Sequence, residues 1–90
     1  MASNFTAYNA FEAGKKGTGS STRSTGDRLF SFGTVIKQRL ANDIIVGNVT
    51  KYSHTTSKHQ SQAHVHSADI WVKAVPRGET DLTKYMVDHT

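Results

Sequence analysis

The clearest hydrophobic pattern in the chain is an alternation over Leu29–Leu40. Large apolar side chains occupy one parity of this stretch: Phe30, Phe32, Ile36 and Leu40. The other parity contains Ser31, Gly33, Lys37 and Arg39, of which the last two are basic. A period of two is typical of a half-buried strand, because successive side chains of a strand point to opposite faces. The sequence therefore predicts a strand with a basic exposed face.

A second strand is predicted after a short turn. Ala41-Asn42-Asp43 favours a turn because Asn and Asp tolerate left-handed backbone and hydrogen-bond to nearby amides. Asp43–Tyr52 is then rich in β-branched and aromatic residues, which favour strands. Two strands joined by a short polar turn pair as an antiparallel β-hairpin. This hairpin is the strongest structural prediction that the sequence supports.

The apolar alternation disappears over Ser53–Ser67, where polar residues replace it. Thr55, Thr56 or Ser57 can cap a helix that continues to Ala63, because their hydroxyls accept hydrogen bonds from the first helical amides. The sequence therefore predicts a short polar helix after the hairpin.

The last part of the chain predicts one more strand and one more short helix. Asp69–Val75 is apolar enough to form a third strand, which the Pro76-Arg77-Gly78 turn ends. Thr80 or Asp81 can cap a final short helix. Residues 27–90 are therefore predicted to form a single small α+β domain. It contains a small antiparallel sheet, made of the β-hairpin and the third strand, with one or two short helices.

Residues 1–13 form an aromatic N-terminal segment. Phe5, Tyr8 and Phe11 are spaced three residues apart, which places their rings along one side of a short helix. Two interpretations stand open. The aromatic residues dock on the core as a hydrophobic flap, or they bind a partner protein as a tethered recognition element.

A polar segment follows the aromatic one. Gly14 can end the predicted helix, which Ser3 or Asn4 can cap. Residues 14–26 consist of Gly, Ser, Thr and basic residues, with no large apolar side chain. Such a segment has nothing to offset the entropy lost on ordering it. We therefore predict a flexible Gly/Ser-rich linker between the aromatic segment and the domain.

The composition narrows the class of protein. The chain has 90 residues, a net charge of +4, 36% hydrophobic residues and no cysteine. The lack of thiols excludes a disulfide scaffold and cysteine-ligated metal sites. The longest apolar run, Ile44–Val46, is far too short to span a membrane, and we expect no secretory signal. The small core makes homo-oligomerisation plausible.

The positive charge is concentrated in the middle of the chain. Residues 15–58 contain eight lysines and arginines but only two aspartates, a local charge of +6. Such an excess steers a protein toward a polyanion or an acidic protein surface. We therefore predict nucleic acid or an acidic protein as the partner. The predicted anion-binding residues are Lys37, Arg39, Lys51, Tyr52, Lys58 and His59.

The densest part of this set lies in Thr50–Gln60, where a strand is predicted to lead into a helix. Hydroxyl side chains there are interspersed with Lys51 and Lys58. Helix N-termini present free backbone amides and a partial positive charge, which suit a phosphate. The hydroxyls alone have a simpler explanation as helix caps. Tyr52 either stacks on a base or completes the core.

Residues for catalysis or metal binding follow no recognisable pattern. Of the five histidines, only His64 and His66 have a metal-ligand spacing, and only in an extended segment. No nucleophile-elbow pattern frames a serine, and no carboxylate cluster accompanies Tyr52 or its neighbouring histidines. The sequence therefore predicts no enzyme, no metal site and no cofactor.

Two segments together resemble a known family. They are Leu29-Phe-Ser-Phe-Gly-Thr-Val-Ile and Thr50-Lys-Tyr-Ser-His-Thr-Thr-Ser-Lys-His-Gln60. They are similar to a small domain of bacteriophage proteins that carries a Tyr-Ser-x-Thr-Thr-Ser-Lys-His motif. The resemblance covers about residues 28–60. It implies a small viral accessory protein in the host cytoplasm, and it transfers no established activity.

Two functions agree with these observations. The first is a small non-catalytic phage accessory protein that binds nucleic acid through the basic hairpin face, mostly by phosphate contacts. The alternative is a stoichiometric inhibitor of a host protein complex, an anti-defence or host-takeover factor. In that alternative Phe5, Tyr8 and Phe11 anchor the partner, and the basic surface meets an acidic groove. A virion or assembly component, with residues 14–26 laced between subunits, is a third class.

Overall fold

Within residues 4–86, six strands form one open sheet, with two α-helices. The computed structural model describes residues 4–86. Ser3, a predicted helix cap, and His89, one of the five histidines, lie outside the described residues. In chain order the elements are α1 (Asn4–Glu12), β1 (Lys16–Thr18), β2 (Thr22–Thr25), β3 (Arg28–Ser31), β4 (Thr34–Arg39), β5 (Ile45–Asn48), α2 (His54–Gln62) and β6 (Ile70–Val72). Short 3₁₀ helices span Val65–Ser67 and Leu82–Tyr85. The predicted α+β class is confirmed.

The strands lie in the sheet in their order along the chain, β1 to β6. The predicted antiparallel hairpin is confirmed as β4 and β5, where Lys37 pairs with Gly47. The predicted third strand is β6, but it runs parallel to β5 because α2 carries the chain back across the sheet. The sheet is therefore mixed, which corrects the prediction of an antiparallel sheet.

The single strand predicted over Leu29–Leu40 is two strands. The chain turns back at Phe32 and Gly33, which form a two-residue loop between the paired residues Ser31 and Thr34. Both loop residues have positive φ, 51° and 83°, as a type I′ hairpin turn requires. The alternation of apolar residues continues through this turn and hides it from a periodicity argument.

The predicted flexible linker is wrong, because residues 16–25 contain β1 and β2, an antiparallel hairpin that packs against α1. A Cβ atom at Gly17 would lie 2.5 Å from Cβ of Ala10, and one at Gly19 would lie 2.6 Å from Cα of Asn4. These glycines therefore permit close approach of helix and hairpin. Their small size serves this packing and does not indicate flexibility.

The core lies on both faces of the sheet. On one face, Leu29 packs with residues of α1 and with residues that follow α2; on the other, Phe30 and Val35 pack with residues that follow β6. A bulge shifts the register of β3 and β4 between Leu29 and Phe30. Such a bulge changes which strand residues face each side.

Local capping agrees with the sequence in part. The hydroxyl of Ser53, not one of the three predicted hydroxyls, accepts from the amide of Thr56 and caps α2. Asp81 caps the last 3₁₀ helix, as predicted, by accepting from the amide of Thr83. No helix within residues 4–86 is long and apolar enough to cross a lipid bilayer.

Candidate functional site

The N-terminal aromatic residues contribute mainly to the core. Phe11 is fully buried and Tyr8 is 5% exposed, while Phe5 is 51% exposed. The ring of Phe11 packs with Leu29 and Ile36 of the sheet. Because a buried ring offers no surface to a partner, the prediction that Tyr8 and Phe11 are partner-binding residues is corrected here.

Two of the predicted anion-binding cations hold the fold together. The buried ammonium of Lys37 donates to a carboxylate oxygen of Glu12 at 3.0 Å and to the carbonyl of Ala63 at 2.9 Å. The guanidinium of Arg39 donates to the carbonyls of Phe11 and Gly26, at 2.8 and 2.7 Å. Both side chains therefore donate to groups of the protein itself, and the prediction that Lys37 and Arg39 bind an anion is corrected.

This correction has a simple physical cause. Lys37 and Arg39 lie on the side of β4 that α1 covers, since both side chains donate to atoms of α1. Their charges also lie near the ring of Phe11, with Lys37 Nζ 5.5 Å and Arg39 Cζ 4.7 Å from its centroid. Alternation identified two faces of the strand but not which face another element would cover.

The other predicted residues lie around the start of α2. Lys51 and Lys58 are exposed, His59 is buried, and Tyr52 is half-buried. The hydroxyl of Tyr52 donates to the carbonyl of Val75 and accepts from the side-chain amide of Asn48. The hydroxyl of Tyr52 is therefore hydrogen-bonded within the protein, while part of its ring lines a neighbouring cleft.

That cleft, here called the Arg77 cleft, has a volume of about 320 Å³. Five serine and threonine side chains line it: Ser31, Thr34, Ser53, Thr55 and Thr56. Arg77 lies at its edge, with Cζ 5.9 Å from the centroid of the Tyr52 ring. The first turn of α2 forms one wall, to which it contributes Thr55 and Thr56. The cleft therefore combines a cation with several hydroxyl side chains.

A second cleft, here called the Arg23 cleft, has a volume of about 300 Å³. Thr18, Ser20, Ser21 and Thr22 of the β1–β2 hairpin contribute hydroxyl residues to its wall. The guanidinium carbon of Arg23 lies 4.6 Å from the centroid of the Phe30 ring. Stacking on an aromatic ring orients a guanidinium and leaves its N–H groups available at the edge.

Phe32 lies between the two clefts and lines both. It is 60% exposed, which is unusual for a large aromatic side chain, and its backbone has a φ of 51°. The ring of His59 backs it, with the two centroids 5.5 Å apart and the planes 31° from parallel. The tip of the β3–β4 hairpin thus displays an aromatic ring flanked by two arginine-bearing clefts.

A buried histidine fixes this tip to the rest of the protein. His59 Nδ1 lies 2.6 Å from Oγ of Ser31, and its Nε2 lies 3.1 Å from Nδ2 of Asn4. The Asn4 Oδ1 accepts from the amide of Ser21 and the hydroxyl of Thr22, so the Asn4 amide must donate to His59. The hydrogen-bond network therefore assigns a neutral imidazole with its proton on Nδ1.

This tautomer has consequences for chemistry. Its Nδ1–H donates to Ser31, so that nitrogen has no lone pair with which to take the serine proton, as a nucleophilic serine requires. Burial, and to a lesser extent the nearby charge of Lys58, lowers the pKa of His59 below its ordinary value. His59 is a positioning residue for the turn that displays Phe32.

The two clefts are suited to anions. Among the residues that line them within the described chain, there is no aspartate or glutamate. Arginine binds phosphate with two N–H groups at once, and hydroxyls and amides complete the hydrogen bonds. Within residues 4–86 no three histidine or carboxylate side chains are grouped to hold a metal ion.

Sequence reasoning missed the three central residues of this surface. From the sequence, Phe32 belongs to the apolar parity of a strand, Arg77 to a turn and Arg23 to a linker. One signal was present, since Gly33 interrupts an otherwise regular strand pattern, and an isolated glycine there marks a bulge or bend. No local signal indicates that Arg23 and Arg77, which are 54 positions apart, flank the same turn.

Comparison of the chain with protein-family models, curated proteins and solved structures found no match.

Proposed function

We propose that this protein is a small non-catalytic nucleic-acid-binding module whose contact surface is the tip of the β3–β4 hairpin and the clefts beside it. One observation supports this most strongly: Phe32 is 60% exposed and lies between clefts that contain Arg23 and Arg77. The proposed surface differs from the basic hairpin face expected from the sequence, because Lys37 and Arg39 are occupied within the fold.

Phosphate contacts provide most of the proposed affinity. Arg23 and Arg77 form no ion pair with a carboxylate within residues 4–86, so neither must lose a protein partner before it binds a phosphate. The hydroxyl-lined walls supply further donors. Lys51 and Lys58 are exposed and add long-range attraction. Such contacts position a strand but read no sequence.

The resemblance to phage proteins extends the proposal to the setting. On that basis the protein would act as an accessory factor in the cytoplasm of an infected host. The neutral His59 beside Ser31 supports the non-catalytic part of the proposal, because this imidazole tautomer does not activate the serine.

An alternative partner is an acidic surface of a host protein complex, which the protein would inhibit stoichiometrically. Exposed aromatic residues and arginines favour it, since such side chains dominate protein–protein binding energies. Trp71, on the edge strand β6, is 57% exposed in addition to Phe32. In this alternative Phe32 inserts into an apolar pocket and the two arginines meet carboxylates at its rim.

The test measures binding of a fluorescent single-stranded oligonucleotide across salt concentrations from about 50 to 200 mM. The informative variant is Arg23→Ala with Arg77→Ala. Its matched control is Lys15→Ala with Lys73→Ala, which removes the same charge from two exposed positions that line neither cleft. If each arginine contacts one phosphate, the slope of log K against log salt should fall by roughly 1.4 in the arginine variant.

Equal losses in the two variants would mean that net charge alone attracts the strand, and would contradict the proposed surface. The absence of any binding at the lowest salt would contradict nucleic-acid binding altogether. In that case, capture of a stable protein partner that survives nuclease treatment and is lost in Phe32→Ala would favour the inhibitor alternative.

A further inference from the structure

We infer that Phe32 is a stacking platform for one unpaired base, so that the ligand is single-stranded where it meets this protein. This inference rests on the proposed nucleic-acid function and names the class of ligand. Three observations support it: the backbone conformation of the turn, the packing of His59 against the Phe32 ring, and the position of that ring between the two clefts.

The backbone conformation of Phe32 is costly for the residue that is present. A φ of 51° is left-handed backbone, which bulky side chains rarely adopt. The adjacent Gly33 adopts a positive φ at no such cost. Asn or Gly at the Phe32 position would suit a turn with two positive φ values far better. Strain retained at an exposed aromatic residue, which adds little to the core, points to a role for the ring itself.

The turn is held rigidly enough to present that ring. The amide of Phe32 donates to the carbonyl of Ser21 in the β1–β2 hairpin at 3.0 Å. The preceding Ser31 is tied to His59, and the following Thr34 accepts from the amide of Gly78. Three separate parts of the chain therefore fix the turn. A platform fixed before binding loses little conformational entropy when a base stacks on it.

The support behind the ring limits the number of bases that can stack. His59 covers one side of Phe32 at a centroid distance of 5.5 Å. A base on the exposed side would complete a stack of three rings, in the order base, Phe32 and His59. The phosphates before and after that base would then lie toward the Arg23 and Arg77 clefts, since Phe32 lines both. One stacked base between two anion-binding clefts describes a strand that passes over the hairpin tip.

Duplexes do not fit this arrangement. Each base within a duplex is stacked on both faces. Phe32 could reach such a face only after the base had been unstacked and unpaired, which costs free energy. Unpaired bases have free faces, and every base has a π-face, so the contact is tolerant of sequence. The inference therefore predicts preference for unpaired over paired nucleic acid and little preference among bases.

The experiment compares three probes of equal length: a single-stranded oligonucleotide, the same backbone carrying only abasic sites, and the matching duplex. The protein variants are Phe32→Asn, which removes the ring and suits the turn, and Phe32→Trp, which keeps a stacking ring. Trp71→Ala is the matched control, because it removes another exposed aromatic ring that lines neither cleft. Thermal melting checks that every variant is folded.

We expect Phe32→Asn to weaken binding of the single strand by about 5- to 150-fold, the equivalent of roughly 1–3 kcal/mol for one stacked base. Binding of the abasic backbone should be unchanged by Phe32→Asn, and the unmodified protein should prefer the single strand to the duplex. Phe32→Trp should retain binding and Trp71→Ala should leave it unaltered.

The possible failures are distinguishable. If all three probes bind and Phe32→Asn weakens none of them, the phosphate-based function stands and base stacking is wrong. If the abasic backbone binds as tightly as the single strand, stacking is also wrong. If no probe binds the unmodified protein, the proposed nucleic-acid function fails, and this inference fails with it.

Discussion

The rings of Phe11 and Phe32 occupy opposite situations although each lies near two cations. Phe11 is fully buried beside Lys37 and Arg39, whereas Phe32 is 60% exposed and lies between the clefts that contain Arg23 and Arg77. The cations near Phe11 donate to Glu12 and to backbone carbonyls.

The difference shows that residue type does not decide whether a cation binds a ligand. Lys37 and Arg39 each donate two hydrogen bonds to groups of the protein, and in this way they attach α1 to the sheet. Arg23 and Arg77 rest on aromatic rings, which orient their guanidinium groups without using up their N–H donors. The region around Phe11 therefore serves stability, and the region around Phe32 has donors available for an anion.

The largest expected effect comes from truncation of the buried ring. Phe11→Ala removes a fully buried aromatic side chain that joins α1 to Leu29 and Ile36, and we expect a loss of about 3–5 kcal/mol in the free energy of unfolding. Urea denaturation followed by circular dichroism measures it. Phe5→Ala, at a position that is 51% exposed, is the control and should cost far less. Equal losses in the two variants would contradict the division of the aromatic segment between core and surface.

Prediction from sequence succeeded where one local pattern was sufficient. The β4–β5 hairpin follows from alternation and the turn at 41–43, and the N-terminal helix follows from aromatic spacing and Gly14, which has a φ of 69°. It failed where contact between distant segments decides the outcome. Gly17 and Gly19 belong to a hairpin because α1 packs on them, and nothing within residues 14–26 indicates that helix.

The candidate site follows the same division. The start of α2 was identified from its hydroxyls and lysines, and Tyr52 does line a cleft there. Arg23, Phe32 and Arg77 meet only because a turn, a hairpin and the segment after β6 converge at one end of the sheet. The burial of Lys37 depends likewise on α1, which lies 25 residues away in sequence at Glu12. Periodicity within one strand predicts neither the convergence of these three residues nor the burial of Lys37.

A smaller effect is expected at His59, which joins the two regions by contacting Asn4 of α1 and Ser31 beside Phe32. Its folded-state pKa is lowered from 6.5, mainly by burial. Above pH 6.5 the imidazole is neutral in both states and its contribution to stability is complete. As pH falls below 6.5 the unfolded chain takes up a proton first, so the free energy of unfolding decreases until the folded-state pKa is passed.

Protonation also places two donors face to face, because Nε2 of His59 would then point its proton at the Asn4 amide. Denaturation at pH 7.5 and at pH 5 measures the loss, with a slope of at most about 1.4 kcal/mol per pH unit for one proton. His59→Gln should flatten this dependence, and His54→Gln, at an exposed position of the same helix, should preserve it. A dependence that is unchanged in His59→Gln would show that the connection between the two regions does not involve this imidazole.

The smallest expected effect has the opposite sign and tests whether Phe32 is kept for binding. Phe32→Asn places Asn-Gly in a two-residue loop whose φ values are 51° and 83°, the pair that such a turn favours most. Little buried apolar area is lost, because the ring is 60% exposed. We therefore expect the free energy of unfolding to stay constant or to rise by up to about 1 kcal/mol.

Phe32→Val is the control and should be less stable, since a β-branched residue is poorly tolerated at positive φ. If urea denaturation shows Phe32→Asn to be the less stable of the two, the ring contributes more to packing than its exposure indicates. A stability gain together with the loss of single-strand binding would mean that this chain retains a costly turn residue for the ligand, in contrast to Phe11, which it retains for the fold.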